Sequence, residues 1–500
     1  MKSGMNIYWG DLHNHCGITY GYGSLENAIK RAASQLDFCA FTGHAMWPDM
    51  YEKVPETEFV VNFHQKGFQK LKDHWTEIRK KVADANSADL VTFQGYEMHS
   101  GKYGDHHLVS INDNLPLVYR DSPADLVKAC GKDTIAVPHH IGYTPGYRGI
   151  NWDEFDSNIS PIVEVYSKHG CAMGEYAAYP YYHNMGPRDT RNMVDEGLRR
   201  GYCFSFVAST DHHAGFPGSY GDGLAAVIAE EKTRKSIWKA IKEGRTYAVT
   251  GDKILCDFRV NDVCMGGHVR ADRRKIEAYV ETEAPLDKLI IYKNEKVLRI
   301  INGEEYQQTN SKGCYKLRLE MGWGDPSLYR WEGRVKVEDG TIESWNTCFR
   351  GLSVLAPTME ESYDENAVND IATESKLEDG NELFWKCDTV GNKSTLHPST
   401  SMITLKIRGS LETRLSFCIN NKNYNVSVRE LLEYGYTCHM KYYHSQAFKI
   451  YKALPETQYL FHMELEDWCS GNTNDIYRME VSQKNGQWAY VSPVYAESIL

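Results

Sequence analysis

Five hundred residues, 42% hydrophobic and 25% charged, describe a globular chain long enough for two or three domains. A formal net charge of -11 argues against a broad nucleic-acid surface, which needs basic patches, but allows a small anionic substrate held by a few cations. Thirteen cysteines, an odd number without a CxxC pair, argue against a disulfide framework and against a cysteine-based zinc site. A reducing cytoplasm is the expected location. Met1–Ile7 has no apolar signal core, and no run of about 18 apolar residues predicts a membrane span. Asn392-Lys-Ser and Asn425-Val-Ser match the glycosylation sequon, which has no meaning in a cytoplasmic protein.

The chain opens on Trp9-Gly-Asp-Leu-His-Asn-His15. Alternate residues of a strand share a face, so His13 and His15 can aim two imidazoles at one point. Alone, that spacing fits two polar residues at a strand end as well as a metal grip. Strands are expected at 6–12, 38–42, 90–95, 108–112, 134–138, 162–166 and 203–209. Amphipathic helices are expected between them at 24–35, 63–85, 124–130, 187–200 and 233–243. Ser24 and the pair Ser122-Pro123 are helix-start signals. Strands alternating with helices imply a parallel sheet with crossover helices. About seven such units suggest a closed or nearly closed α/β barrel, although an open doubly wound sheet would read similarly.

Chemistry in such barrels sits at the C-terminal strand ends. His13 and His15, His44, Glu97, His139 and His140 fall there, as do Lys168 with His169, and Asp211 with His212 and His213. Glu164 lies inside its strand, whereas His106 and His107 open theirs. Any one of these is best read as a capped loop or a satisfied core histidine, but the set is not. Ala45–Asn62, with Trp47, Pro48, Tyr51 and Phe59, is too long for an ordinary strand-to-helix loop and could be a lid.

Near Gly251 the pattern changes. Beyond about Asp257, alternating runs such as Ile276–Val280, Arg334–Val337, Ile403–Ile407 and Leu415–Ile419 replace helical windows. They read as an antiparallel β-sandwich. The expected division is 1–252 for the barrel and 253–500 for the sandwich. Acidic Glu360–Asp379 reads as a loop, and the segment from Trp488 as a last strand. Trp331, Trp345 and Trp385 read as core residues. The β-rich half could bind glycans, mediate oligomers or wall a pocket.

Asp11-Leu-His-Asn-His15, Asp37–His44, Gly95-Tyr-Glu97, His107-Leu-Val, Pro138-His139-His140 and Ser209-Thr-Asp211-His-His213 follow one another in an order that resembles the PHP (polymerase and histidinol phosphatase) family. The resemblance covers roughly residues 6–250. Val163–Gly170 and Gly244–Gly251 resemble an uncharacterised branch with a β-rich C-terminal half. The resemblance implies a distorted (β/α)7 TIM-like barrel with two or three divalent metal ions (Zn, Mn or Fe) at its mouth. Carried over residue by residue, the implied ligands are His13, His15, His44, Glu97, His107, His139 or His140, Asp211 and His213. Two positions depart from the family. Tyr20 and Gly21 stand where many members carry Asp or His, and Gly43 replaces the Asp of Thr-Asp-His.

Imidazoles and carboxylates together suit Zn, Mn or Fe. Glu97 could bridge two metals. Two metals about 3.5–4 Å apart can share a hydroxide and neutralise a phosphoryl group. No side-chain nucleophile is then needed, in keeping with a sequence that lacks GxSxG; Cys16 should face away from His15 and reads as structural. Arg148, Lys168 and Arg191 are candidate phosphate cations, and His169 and His212 candidate acids or supporting groups. Tyr20 could contact substrate, and Tyr143–Tyr147 could wall it. No Walker loop is present, and Gly218–Gly223 does not fit a dinucleotide motif.

The expected function is a metal-dependent phosphoesterase acting on a small-molecule phosphate ester. Hydrolysis of a non-phosphate ester or amide on the same metals is the alternative, since such barrels do not dictate the electrophile. A degenerate, non-catalytic binding module, motivated by Tyr20 and Gly43, is the third reading. The expected partner is a small, anionic substrate, with neither nucleic acid nor membrane, and an oligomer is compatible with the sequence.

Overall fold

The structure is a computed structural model that describes residues 4–178, 185–304, 313–324, 327–354, 368–391, 399–471 and 474–499. The first half runs β1 (Asn6–Asp11), α1 (Leu25–Gln35), β2 (Phe38–Phe41), β3 (His44–Met46), α2 (Glu58–Asp84), β4 (Val91–Met98), β5 (His106–Ser110), α3 (Pro123–Cys130) and β6 (Thr134–Pro138). It continues with β7 (Ile162–Ser167), β8 (Gly170–Cys171), α4 (Val194–Arg199), β9 (Ser205–Ala208), β10 (Leu224–Ala229), α5 (Arg234–Lys242) and β11 (Thr246–Val249). The helix starts form as the sequence implies. Ser24 accepts from Asn27 N, and Ser122 accepts from Asp125 N with Pro123 in the first turn.

β1, β2 and β4 are parallel neighbours, and β3 adds in parallel to β4. A closed (β/α)7 barrel is not what the hydrogen bonds build. β5 runs antiparallel to both β4 and β6, and β10 antiparallel to β1. The reason at β5 is length. Only residues 99–105 separate it from β4, and a parallel crossover needs a dozen or more residues. β7 and β9 form a separate 3-stranded sheet with β8. That sheet meets the first through isolated bonds. Ala136 N donates to Ile159 O at 2.9 Å, Asp211 N to His13 O at 2.8 Å, and His15 N to His212 O at 2.9 Å.

Several expected bounds shift. α2 has 27 residues and starts at Glu58, so the proposed lid at 45–62 contains the end of β3 and the first turn of a helix. The helix expected at 187–200 contracts to Val194–Arg199. Within the expected loop 360–379, Thr373–Glu378 is a strand, while 360–367 lies outside the described residues. Of the two sequons, Asn392 also lies outside them, and Asn425 is on the strand Lys422–Ser427. All thirteen cysteines are free.

The β-rich half is not a single sandwich appended after residue 252. Strand Trp488–Glu497 pairs with β11, and Asp475–Gln483, Leu286–Lys293 and Lys296–Asn302 extend the same 13-stranded sheet outward. A 4-stranded sheet containing Leu255–Val260, Arg273–Glu281 and Leu460–Trp468 shares a core with that extension, built from Phe258, Ile276, Val280, Ile291, Met479 and Val491. Between Asn302 and Leu460 the chain inserts a 6-stranded and a 5-stranded sheet. They close over Leu317, Trp331, Val335, Trp385, Ile403 and Phe417, so Trp331 and Trp385 are core residues as expected. Trp345 is partly buried, and its indole donates to Ser375 Oγ.

One buried group ties these parts together. The Asp252 carboxylate accepts from Tyr220 Oη at 2.8 Å, Arg318 Nη1 at 2.6 Å, Gln483 Nε2 at 2.7 Å and Asn485 Nδ2 at 2.7 Å. Burial works to raise its pKa, but the Arg318 guanidinium overrides this and holds it below the usual carboxylate value. A depressed folded-state pKa contributes stability that is present above the unfolded value of 3.8 and lost as pH falls through the folded one. Asp252→Ala leaves Arg318 buried without a counter-charge and should cost about 3–5 kcal/mol in denaturant unfolding. It should also remove the matching part of the acid-side loss of stability.

Candidate metal centre

The ends of β1, β4, β6 and β9, the starts of β3 and β5, and Glu164 within β7 deliver imidazoles and carboxylates to one buried point. Asp11 sets the first of these ends. Its carboxylate accepts from His13 N at 3.1 Å, Thr210 Oγ1 at 2.6 Å and Gly218 N at 3.0 Å, which locks the segment after β1 to the one after β9. His13 and His15 then point inward together, each with a side chain fully buried. His13 Nε2 and His15 Nε2 lie 3.1 Å apart, with Glu97 Oε2 at 3.3 Å and 3.2 Å respectively. Asp211 Oδ1 is 3.0 Å from His15 Nε2.

Two further groupings flank this one. His44 Nε2 is 3.2 Å from His213 Nε2, and both rings stack on His15. His107 Nδ1 is 3.3 Å from His139 Nδ1, and both rings lie against His13. Ligand atoms of His13–His107–His139, of His15–His44–His213 and of His13–His15–Glu97 each fall within 4.8 Å of one another. The adjacent pair at the end of β6 is split. His139 Nε2 approaches Glu97 Oε1 at 3.3 Å, while His140, in the left-handed region at φ 31°, turns its Nε2 to Asp105 Oδ2 at 3.3 Å.

The donors suit a divalent cation. His13 Nδ1 faces Glu164 Oε2 at 3.0 Å, and a carboxylate can only accept, so Nδ1 carries a proton and Nε2 is the nitrogen turned inward. His213 Nδ1 donates to the Asp211 carbonyl at 3.0 Å, which leaves Nε2 as an acceptor. Two nitrogens on one tetrahedral zinc stand about 3.4 Å apart, and the cluster brings its nitrogens to similar spacings. Burial, together with neighbouring imidazoles, pushes the pKa values of His44, His107, His139 and His213 well below the usual value, so these rings are neutral and able to ligate. Burial also opposes ionisation of Glu97 and Asp211. The imidazoles of His44, His99 and His139 around the first, and of His13 and His169 around the second, override it and hold both well below the carboxylate range. For His13, burial is outweighed by Asp211 and Glu164, which raise it well above the usual value.

Not every sequence candidate reaches the centre. Arg148 does. Its Nε donates to Asp105 Oδ2 at 2.6 Å, its Nη2 reaches Asp105 and His99 Nδ1, and Glu97 Oε1 is 3.9 Å away. His169 stands behind Asp211, its Nε2 donating to Oδ2 at 2.8 Å and its Nδ1 accepting from Tyr143 Oη at 2.9 Å. Burial, despite Asp211, brings its pKa down to about 4. It is therefore a neutral support for Asp211, not an exposed proton donor. Lys168 is instead closed off in a buried pair with Asp222 Oδ2 at 3.1 Å. His212 points toward Phe216, away from the cluster, and burial next to Lys168 lowers it to about 3. Arg191 is exposed and paired with Asp189. Tyr147 is exposed, so of the expected wall Tyr143 alone supports the site.

The two departures from the family pattern have physical correlates. Tyr20 stacks on His44, with ring centroids 3.8 Å apart, and its hydroxyl lies 3.1 Å from His99 Nε2. At Gly43 a Cβ would lie 3.0 Å from Ile18 and 3.1 Å from Leu71, so apolar packing leaves no place for a carboxylate. Sequence reasoning missed His99 and Asp105 and gave Glu164 no role. His99 lies two residues beyond Glu97, and the period-2 spacing that singled out His13 and His15 could have found it. Asp105 carries no local signal, because its partners come from β4, β6 and the segment around Arg148.

No family model matches the chain. An uncharacterized protein of Chlamydia trachomatis is 26% identical over 382 residues, covering 69% of this chain and 57% of that protein. Uncharacterized proteins of Chlamydia pneumoniae and Chlamydia muridarum are 26% identical over 253 residues and 25% identical over 338 residues, covering 45% and 60% of this chain. The chain spans about half the length of the curated relatives it matches, 57%, 40% and 50% respectively. A crystal structure described as a two-domain protein containing a predicted PHP-like metal-dependent phosphoesterase, from Bacteroides vulgatus, is 11% identical with a TM-score of 0.33, over 85% of this chain and 96% of that one. No helix among the described residues is long and apolar enough to cross a membrane.

Glu164→Gln removes the charged partner that orients His13 and should weaken Zn2+ affinity about 10- to 100-fold in a competition titration with a chromogenic chelator. The cluster also predicts acid sensitivity. Burial lowers the His106 pKa from 6.5 to about 4, with the Gly104 carbonyl and Asp105 only partly opposing it. The unfolded chain takes up this proton below about 6.5 and the folded one does not until about 4, so stability falls as pH drops through that window. His106→Gln should reduce the slope there by about 1.4 kcal/mol per pH unit, measured by urea unfolding at a series of pH values.

Proposed function

We propose that this chain is a metal-dependent hydrolase, and specifically a phosphoesterase acting on a small phosphate ester. One observation carries the reading: buried imidazoles, of which His44, His107, His139 and His213 are held neutral, converge with the Glu97 and Asp211 carboxylates within ligand distance of one another. The order of the ligand-bearing motifs, which resembles the PHP family, supports it. Bound divalent ions supply Lewis acidity toward a phosphoryl oxygen and lower the pKa of water at neutral pH. His13, His15, His44, Glu97, His107, His139, Asp211 and His213 would hold them.

The surrounding residues then have separate tasks. Glu164 and His169 fix the orientation of His13 and Asp211. Arg148 offers a permanent positive charge beside the cluster, and with a side-chain exposure of 17% it can meet an anionic group arriving from solvent. Tyr20 keeps its proton, since burial and the Glu97 charge raise its pKa well above the usual value. Its ring covers His44 and can contact the leaving group. Trp47 closes the same side and excludes water. The expected partner is a small anionic substrate.

The test is a panel of phosphomonoesters, phosphodiesters and amides, assayed on protein reconstituted with Mn2+ or Zn2+. Turnover of phosphate esters that disappears on chelation and in Glu97→Gln is the expected result. Turnover confined to amides would replace this reading with hydrolysis of a non-phosphate bond. Fewer than one metal per chain, unchanged by His13→Ala with His15→Ala, would replace it with a non-catalytic module.

A further inference from the structure

The outer side of the cluster is built differently from the inner side. Five donors meet there: Glu97 Oε1, His99 Nδ1, Asp105 Oδ2, His139 Nε2 and His140 Nε2. Glu97 Oε1 lies 3.1 Å from His99 Nδ1 and 3.3 Å from His139 Nε2. Asp105 Oδ2 lies 2.8 Å from His99 Nδ1 and 3.3 Å from His140 Nε2. Ligand atoms of Asp105, His139 and His140 fall within 4.8 Å of one another, and so do those of His44, Glu97 and His99. On donor chemistry alone this is a further cation site, but it already holds a cation. Arg148 Nε donates to Asp105 Oδ2 at 2.6 Å, and Nη2 lies between Asp105, His99 Nδ1 and Glu97 Oε1.

We propose that the Arg148 guanidinium is a resident cation that fills this outer site, so that divalent ions bind on the inner side and a further one is kept out. The inference rests on reading the cluster as a metal centre and adds its stoichiometry. A guanidinium cannot be deprotonated in a protein, so its charge is always present. It occupies Asp105 lone pairs that a metal would need, stands against His99 Nδ1, and repels a second cation at contact distance. The inner side has no such occupant: among the described residues, neither Asp211 nor Glu164 forms an ion pair with a lysine or arginine.

The placement is specifically supported. Arg148 is a non-glycine residue in the left-handed region, at φ 69°, a conformation that persists only where the surroundings impose it. Its carbonyl accepts from Asp105 N at 3.2 Å, so backbone and side chain hold the same aspartate. A Cβ on the next residue, Gly149, would sit 1.6 Å from the Tyr143 carbonyl, so the turn that presents Arg148 requires glycine there. The guanidinium lies over Trp47, with Cζ 5.4 Å from the ring centroid.

The test is metal content. Stripped protein is loaded with Mn2+ or Zn2+ alone, dialysed and measured by elemental analysis, with folding followed by circular dichroism. The wild type is expected to hold about two ions per chain, as two-metal phosphoryl sites do, and Arg148→Gln about one more. Arg148→Lys, which keeps the charge, should hold the wild-type number, and Arg148→Gln with Asp105→Asn should return to it. Arg148→Met, whose stem still packs on Trp47, decides the point if Arg148→Gln does not fold. A wild type with three ions, or a folded charge-removed variant with no gain, overturns the inference and leaves the metal centre intact. No bound metal in any of these proteins overturns the proposed function, and the inference with it.

Discussion

The structure depends on concentrating imidazoles and carboxylates in the interior of the protein. Burying a charged or unpaired polar group is costly, and most such groups here are relieved by others of the same cluster. Glu97 is the pivot. One oxygen faces His13, His15 and His44, and the other faces His99, His139 and Arg148. His107 joins through His139 and Glu164 through His13, which Glu97 holds in turn. Imidazole nitrogens at contact distance from one another remain, an arrangement that could hold a metal ion.

The rest of the fold serves that convergence. α1 and the inserted sheets clamp the loop after Asp211-His-His213. Arg31 Nη1 donates to the Gly215 carbonyl at 2.8 Å, His213 N donates to Val354 O, and Ala214 and Phe216 belong to the hydrophobic core of the inserted sheets. The β-rich half therefore buttresses a ligand-bearing loop, and Asp252 with Arg318 anchors the two together. This gives the insertion a physical role in the site without a ligand of its own.

Much of the site was legible because its grammar is local. His13 and His15 share a face through the period of a strand, and Glu97, His139 and Asp211 lie at ends of apolar runs that strands bury. The closed barrel was not legible in the same way. Apolar runs look alike whether strands pair parallel or antiparallel, and the seven-residue link before β5 decides the matter by length alone. The insertion of one pair of sheets into another was equally hidden, since alternation identifies strands but not their partners.

The sequence by itself determined which residue types gather, in what order, and that they suit a divalent metal, because ligand chemistry and strand periodicity are properties of the chain. Only the tertiary structure decided between neighbours of identical type. His139 faces Glu97 and His140 faces Asp105 because one residue adopts a left-handed backbone conformation. Arg148 enters the cluster and Lys168 does not because Asp222, distant in sequence, neutralises the lysine in the interior. His99 and Asp105 belong to the site because β4 and the turn at Arg148 approach each other in space. Such choices are made by partners far apart along the chain, and a linear pattern carries no record of them.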